Sequence, residues 1–213
     1  MLTSGQQEEL NYHKKKYSQV DNDGKKIRNP ETWENRSYKR TLIEDFELKP
    51  DTFVGKSVLD IGGGPLSGLH FWPFLESSRR VVLDPLAKEF GELLKGYKNI
   101  SSDVETIAGY AEDMPFTDGS LDMVLTFNSL DHWNDWKKGT DEVIRILKHN
   151  GVFLLYVNLY RPAKTVAHPH YIDEKSIDWI ISRGLELEFS NTKDHVKESG
   201  QKLKKYFGIF RKI

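Results

Sequence analysis

Residues 57–64 read Ser57-Val58-Leu59-Asp60-Ile61-Gly62-Gly63-Gly64, with Pro65 next. Val58, Leu59 and Ile61 are strand-forming apolar residues in a short run, which predicts a buried β-strand over 57–61. The three glycines permit a tight turn and let the backbone approach whatever lies above the strand end. Asp60 at the junction would repel a pyrophosphate and attract a cation, so its charge argues against a phosphate-cradling role for the turn.

A second apolar run closing in an acid, Val81-Val82-Leu83-Asp84-Pro85, follows about twenty residues later, the spacing expected of a ribose-binding carboxylate in a nucleotide fold. A carboxylate accepts from both ribose hydroxyls, whereas a 2'-phosphate would call for Arg. Arg79 and Arg80 stand before this strand, at its wrong end for that purpose. The two acids together describe a ligand with an ammonium and a ribose but no phosphate. S-adenosylmethionine is such a ligand, and S-adenosylhomocysteine is its product.

The 213 residues suffice for one substantial core, and no Gly/Ser or Pro-rich linker divides them. One domain over 1–213 is expected, with 1–50 as an N-terminal helical cap. A formal charge of −1 gives no global case for nucleic acid as a partner. Basic residues concentrate at 11–40 and 193–213, and solvated faces explain them most simply. The absence of cysteine excludes disulfides, thiol catalysis and cysteine-based zinc sites. The polar start and the lack of any long apolar run predict a cytoplasmic protein without membrane insertion. Nothing in the sequence points to a protein partner.

Residues 4–17 predict a polar helix capped by Ser4, and Trp33, Tyr38, Leu42, Ile43 and Phe46 predict another between Pro30 and Pro50. Strands are then expected at 57–61, 80–84, 104–108, 121–127, 152–157, 185–189 and 206–211. Helices are expected near 66–76, 86–96, 137–148 and 172–182, with His149-Asn150-Gly151 as a helix-ending turn. Strands alternating with helices imply parallel pairing through crossovers. The fold class is α/β: a Rossmann-like, doubly wound, mostly parallel seven-stranded sheet with an antiparallel C-terminal strand and N-terminal helices. Ligands of such sheets lie beyond the carboxyl ends of the strands, where Asp60 and Asp84 fall.

The chain resembles the class I S-adenosylmethionine-dependent methyltransferases, type 11-like, particularly those of ubiquinone and menaquinone biosynthesis. The resemblance rests on VLDIGGG at 58–64, VVLDP at 81–85, GYAEDMPFTDGSLDMVLTFNSLDHWND at 109–135 and VIRILKHNGVFLLY at 143–156. It implies methyl transfer to oxygen, nitrogen or carbon of a small-molecule acceptor. By the same resemblance Asp60 and the backbone of Gly62, Gly63 and Gly64 surround the methionine part of the cofactor. Asp84 holds the ribose, while Leu86, Ala111, Glu112 and Asp113 border the adenine and Asn128 lies on the sulfonium side. Two positions depart from the pattern: Leu66 replaces a usual glycine, and Tyr110 stands where an acid often meets the adenine amine.

Transfer from a sulfonium needs alignment and exclusion of water, and a base only when the acceptor must lose a proton. His132 is the candidate base, since a neutral imidazole accepts a proton near pH 7; ordering of its loop is the competing role. His168 and His170 in the loop after the fifth long strand offer metal ligands with Asp131, but two histidines two apart are weak evidence, and a metal-free substrate loop is expected. Tyr160, Arg161 and Tyr171 add donors and aromatic surface there, and Trp33 and Trp133 are candidates for an aromatic acceptor wall. Two further readings fit the residues: a nicotinamide-dependent oxidoreductase, disfavoured by Asp60 and the lack of a clean G-x-G-x-x-G, and a noncatalytic S-adenosylmethionine-binding or assembly protein.

Overall fold

The structure is a computed structural model and describes residues 2–18, 37–71, 73–94, 101–161, 165–196, 200 and 202–213. Trp33 and Trp72 lie outside the described residues. Seven strands form one sheet: β1 (Ser57–Ile61), β2 (Arg79–Leu83), β3 (Val104–Ile107), β4 (Leu121–Phe127), β5 (Leu147–Leu159), β6 (Leu185–Val196) and β7 (Lys202–Lys212), in the order β3-β2-β1-β4-β5-β7-β6. β1 to β5 pair in parallel, and β7 runs antiparallel between β5 and β6. The strand order reverses at β1 and β4, the switch point beyond which open α/β sheets hold their ligands.

Alternation along the strands sorts side chains onto two faces. Leu59, Ile61, Val81 and Leu83 join one core with Val143 and Ile146 of α3 (Trp136–Ile146) and Ile177 and Ile180 of α4 (Glu174–Ile181). Val58, Val82, Met123 and Leu125 pack on the other face against Leu42, Phe46, Phe53, Leu69 and Phe74. Asp60 has the parity of Val58, so its carboxylate points into the face covered by residues from the N-terminal segment. At the opposite end of β1, Asp122 accepts from the amide and hydroxyl of Ser57 at 2.9 and 2.6 Å and from Lys148 at 2.9 Å. Burial would raise the Asp122 carboxyl, but these donors outweigh it and hold it at about 2. This staple fixes β1 beside β4.

Two further helices are α1 (Ser4–Ser18) and α2 (Ala87–Leu93). Thr3, not Ser4, caps α1: its hydroxyl accepts from Gln6 N at 3.2 Å while the Gln6 side chain accepts from Thr3 N at 2.9 Å, a reciprocal capping box. The helix expected between Pro30 and Pro50 is seen at 37–40 and continues as a π-turn, Thr41–Asp45, closed by Phe46 N donating to Thr41 O at 2.9 Å. The helix expected at 66–76 is instead two 3-10 turns, Gly68–His70 and Phe74–Glu76. Pro65 and Pro73 lack amide donors, and Ser67 accepts from Leu69 N, starting a new short turn. The expected turn at His149-Asn150-Gly151 lies inside β5, where Asn150 takes φ 63°. β6 and β7 run well beyond their expected spans because each pairs with the other over almost its whole length.

Gly139 of α3 carries the packing of that helix against the loop after β4. A Cβ there would lie 2.4 Å from the buried Trp133 ring. Alanine favours a helix over glycine by roughly 0.5–1 kcal/mol, whereas overpacking costs about 1–3 kcal/mol, so the clash wins. Gly139→Ala is therefore expected to lower the unfolding free energy by about 1–2 kcal/mol in urea titration; a gain in stability would contradict this packing.

Candidate functional site

Register sets Asp84 two residues beyond Asp60, at the level of the glycine turn. Asp60 and Ile61 pair with Val82 and Leu83, and Gly62 N donates to Leu83 O at 2.8 Å. Gly62 and Gly64 take φ of 69° and 66°, a region most side chains avoid, and the turn they make opens a cleft with roughly 940 Å³ of empty space, part of it open to solvent. Gly62, Gly64, Asp84 and Leu86 line one end; Ala111, Glu112, Asn128, His132 and Trp133 line the rest.

Asp60 lies beneath this lining and is fully buried. Its Oδ2 accepts from Ser67 Oγ at 2.6 Å and Tyr38 Oη at 3.0 Å, while Oδ1 has no partner. Burial drives its pKa up to about 6; the Ser67 and Tyr38 hydrogen bonds oppose the rise and the charge of Asp84 adds to it. Gly63 presses on this carboxylate rather than on the cleft, since a Cβ there would sit 2.6 Å from Oδ2. Asp84 accepts from Leu86 N at 2.8 Å and Gly64 N at 3.2 Å, tying the two loops together. Burial raises it as well, to about 6, against those two amides.

The roof of the cleft comes from α1. Gln6, Glu9 and His13 line it from above, and Gln6 donates to the Tyr110 hydroxyl at 2.9 Å. Glu9 holds His13 at 3.0 Å and faces His132 at 3.9 Å. Burial favours a neutral Glu9, yet the His13 hydrogen bond and the neighbouring histidines prevail and keep its pKa below the ordinary value. Leu10 anchors the helix on Leu86 and Phe90. No single motif marks Gln6, Glu9 and His13; the available signal is their spacing, which puts three polar residues on one helical face. Tyr38 and Ser67 are equally silent in the sequence, because each acts on Asp60 from a separate element.

The loop after β4 meets the loop after β5. Asp131, almost fully buried, accepts from His168 Nδ1 at 3.0 Å and has Arg161 Nε at 3.6 Å; the His132 and His168 rings stack edge-on with centroids 4.1 Å apart. Burial lowers the His132 pKa, favouring neutral imidazole, although Asp131 pulls the other way. His170 is not part of this cluster: its Nε2 contacts the carbonyls of Trp133 and Asn134 at 2.7 and 3.1 Å. Asp113, expected beside the adenine, is exposed, because the turn closed by Asp113 N on Tyr110 O directs its side chain to solvent. Tyr160 takes φ 59° and packs near the exposed Tyr171, with ring centroids 6.5 Å apart, outside the cleft lining. Asn128, also at positive φ, accepts from Asn158. Arg79 pairs with Glu105 at 2.8 Å, and Arg80 donates to Leu69 O at 3.0 Å, so both are structural.

A family model described as a methyltransferase domain matches residues 59–155. The chain is 34% identical over 113 residues to YcgJ, an uncharacterized methyltransferase of Bacillus subtilis, covering 51% of this chain and 43% of that protein. It is 30% identical over 119 residues to a demethylmenaquinone methyltransferase of Renibacterium salmoninarum, covering 55% of this chain and 46% of the relative. The crystal structure of YcgJ matches with a TM-score of 0.59 at 17% identity, covering 76% of this chain and 94% of that one, a likeness of fold. The matched stretch thus spans less than half the length of these curated relatives. Over this stretch the chain is similar to methyltransferase domains, demethylmenaquinone methyltransferases among them. No helix among the described residues is long and apolar enough to cross a membrane.

Asp60 has a cost in the free chain. Its pKa rises from 3.8 to about 6 on folding, so the folded chain binds more protons between those values and its stability falls as pH increases through that window. At about 1.4 kcal/mol per unit, Asp60→Asn is expected to raise the unfolding free energy at pH 7 by roughly 1–3 kcal/mol, with the gain gone near pH 4. Urea unfolding at both pH values reads this directly; equal or lower stability at pH 7 would contradict it.

Proposed function

We propose that this chain transfers a methyl group from S-adenosylmethionine to an oxygen, nitrogen or carbon of a small-molecule acceptor. The observation that carries the proposal is the pair of buried acids, Asp60 and Asp84, set at adjacent strand ends around a positive-φ glycine turn and beside one cleft. The residues fit the cofactor. A carboxylate offers about four acceptor sites; Asp84 spends two on backbone amides and keeps the rest for two ribose hydroxyls. Asp60 supplies negative charge under the turn and retains an unpartnered buried oxygen. Gly62 and Gly64 leave the backbone open to the methionine part, and Leu86, Ala111 and Glu112 form the adenine end.

Bound there, S-adenosylmethionine supplies a methyl group on an already activated sulfonium. The protein's part is orientation and exclusion of water. Gln6, Glu9 and His13 close the cleft from above, which supports the reading of residues 1–213 as one domain with 1–50 as its cap. Trp133 and Asn128 wall the side toward the acceptor. Where the acceptor must lose a proton, His132 is the base, as a cleft-lining imidazole that burial keeps neutral. Arg161, Tyr160, His168, His170 and Tyr171 form the outer acceptor region in this reading, and a soluble small molecule rather than a nucleic acid is the partner.

Calorimetric titration with S-adenosylhomocysteine is the test. One-site binding is expected, and folded protein that binds NADH instead would overturn the reading. Asp84→Ala should weaken binding about 10- to 100-fold, the worth of hydrogen bonds to a charged group. Affinity should fall about 100-fold from pH 7 to pH 5, about tenfold for each acid, because two acids with pKa near 6 must both give up their protons to meet the ammonium and the ribose hydroxyls. His132→Ala should spare cofactor affinity and cut turnover about 10²- to 10⁴-fold with an acceptor that loses a proton; unchanged turnover would leave the histidine an ordering role.

A further inference from the structure

We propose that Asp131, His132 and His168 form a binding site for a divalent transition-metal ion of the zinc type. The three residues come from two loops and offer ligand atoms that all lie within 4.8 Å of one another. His168 Nδ1 lies 3.0 Å from Asp131 Oδ2, and His132 Nε2 lies 4.0 Å from Asp131 Oδ1. Bonds of about 2.0–2.1 Å at tetrahedral angles place neighbouring ligands roughly 3.3–3.4 Å apart, so a small approach of His132 Nε2 to Asp131 Oδ1, with His168 Nδ1 exchanging its bond to Oδ2 for the ion, completes the set. Two imidazoles and one carboxylate are a donor set that zinc accepts, with a remaining position left open.

A second observation points to the same place. Asp131 Oδ1 is buried and has no hydrogen-bond partner, on a side chain only 2% exposed. Such an acceptor is costly to leave unmade. Arg161 faces Asp131 through Oδ2 at 3.6 Å, which leaves Oδ1 for the metal. The remaining nitrogen of His132, Nδ1, faces Glu9 Oε2 at 3.9 Å, so a short approach on metal binding would make the carboxylate–imidazole–metal arrangement that fixes a ligand's tautomer. With Glu9 and Asp131 negative and Arg161 positive, the cluster keeps a net negative charge for the ion to offset. His132 lines the cleft, so the open position faces the space assigned to the acceptor under the methyl-transfer reading. A coordinated His132 is no longer free to take a proton, so metal ligation and its role as base exclude each other.

The chelator-stripped full chain is titrated with Zn²⁺ by calorimetry and with Co²⁺ by visible absorption. One site per chain is expected, with cobalt bands of four- or five-coordination. His168→Ala should weaken Zn²⁺ at least about 100-fold and Glu9→Gln about tenfold, whereas the exposed His149→Ala should leave it unchanged. Far-ultraviolet circular dichroism and urea unfolding report that each variant is folded; if His168→Ala fails that check, His168→Asn takes its place. Absence of one-site metal binding in folded wild-type protein, or binding unchanged in the folded His168 variant, overturns the metal site. Cofactor binding without metal leaves the methyl-transfer reading intact, and metal binding without cofactor reverses only that reading.

Discussion

A carboxylate buried at the end of β1 sets the terms for everything above the sheet. Asp60 sits where water cannot reach it, and burial alone would make its charge intolerable. It is held by hydroxyl donors from two directions: Ser67 beyond the glycine turn, and Tyr38 in the N-terminal segment. Each donor draws its own element toward the strand end. Tyr38 also lies so close to Gly68 that any side chain there would overlap its ring, so the turn, the 3-10 segment and the N-terminal helix converge on one buried oxygen.

Asp84 does comparable work one strand over with backbone rather than side-chain donors. Its hydrogen bonds to Gly64 and Leu86 join the loops after β1 and β2. The two acids have different surroundings but share a cause for their raised pKa, which is burial without a paired cation among the described residues. A protein that needed only stability would do better with neutral groups at both positions. Retaining charge in a low-dielectric cleft is characteristic of a site that expects a ligand to complete it.

The polar character of α1 follows the same logic. Its low apolar content would leave an isolated helix marginal, yet it is fixed by Leu10 and Tyr17 on apolar patches and by Gln6 and Glu9 across the cleft. A roof made of polar side chains presents hydrogen-bonding groups to whatever occupies the cleft, while the apolar anchors hold the helix in place.

The chain itself determined the sheet and the end of it where the cleft lies. Apolar runs closing in Asp60 and Asp84, with glycines after the first, specify buried parallel strands and an acid at each carboxyl end, and the local run of apolar residues is enough to read them. The same local signal fails at 66–76, where apolar spacing suggests a helix but Pro65 and Pro73 divide it into two short turns. It also gives no warning that Asp113 faces solvent or that His170 turns to the carbonyls of Trp133 and Asn134. Tertiary structure alone decided which residues meet across long separations: Tyr38 with Asp60, Glu9 with His132, Asp131 with His168. The reason is physical. A strand or turn is fixed by neighbours a few residues away, whereas a site made by loops of different elements depends on how those elements pack, and no local pattern encodes that.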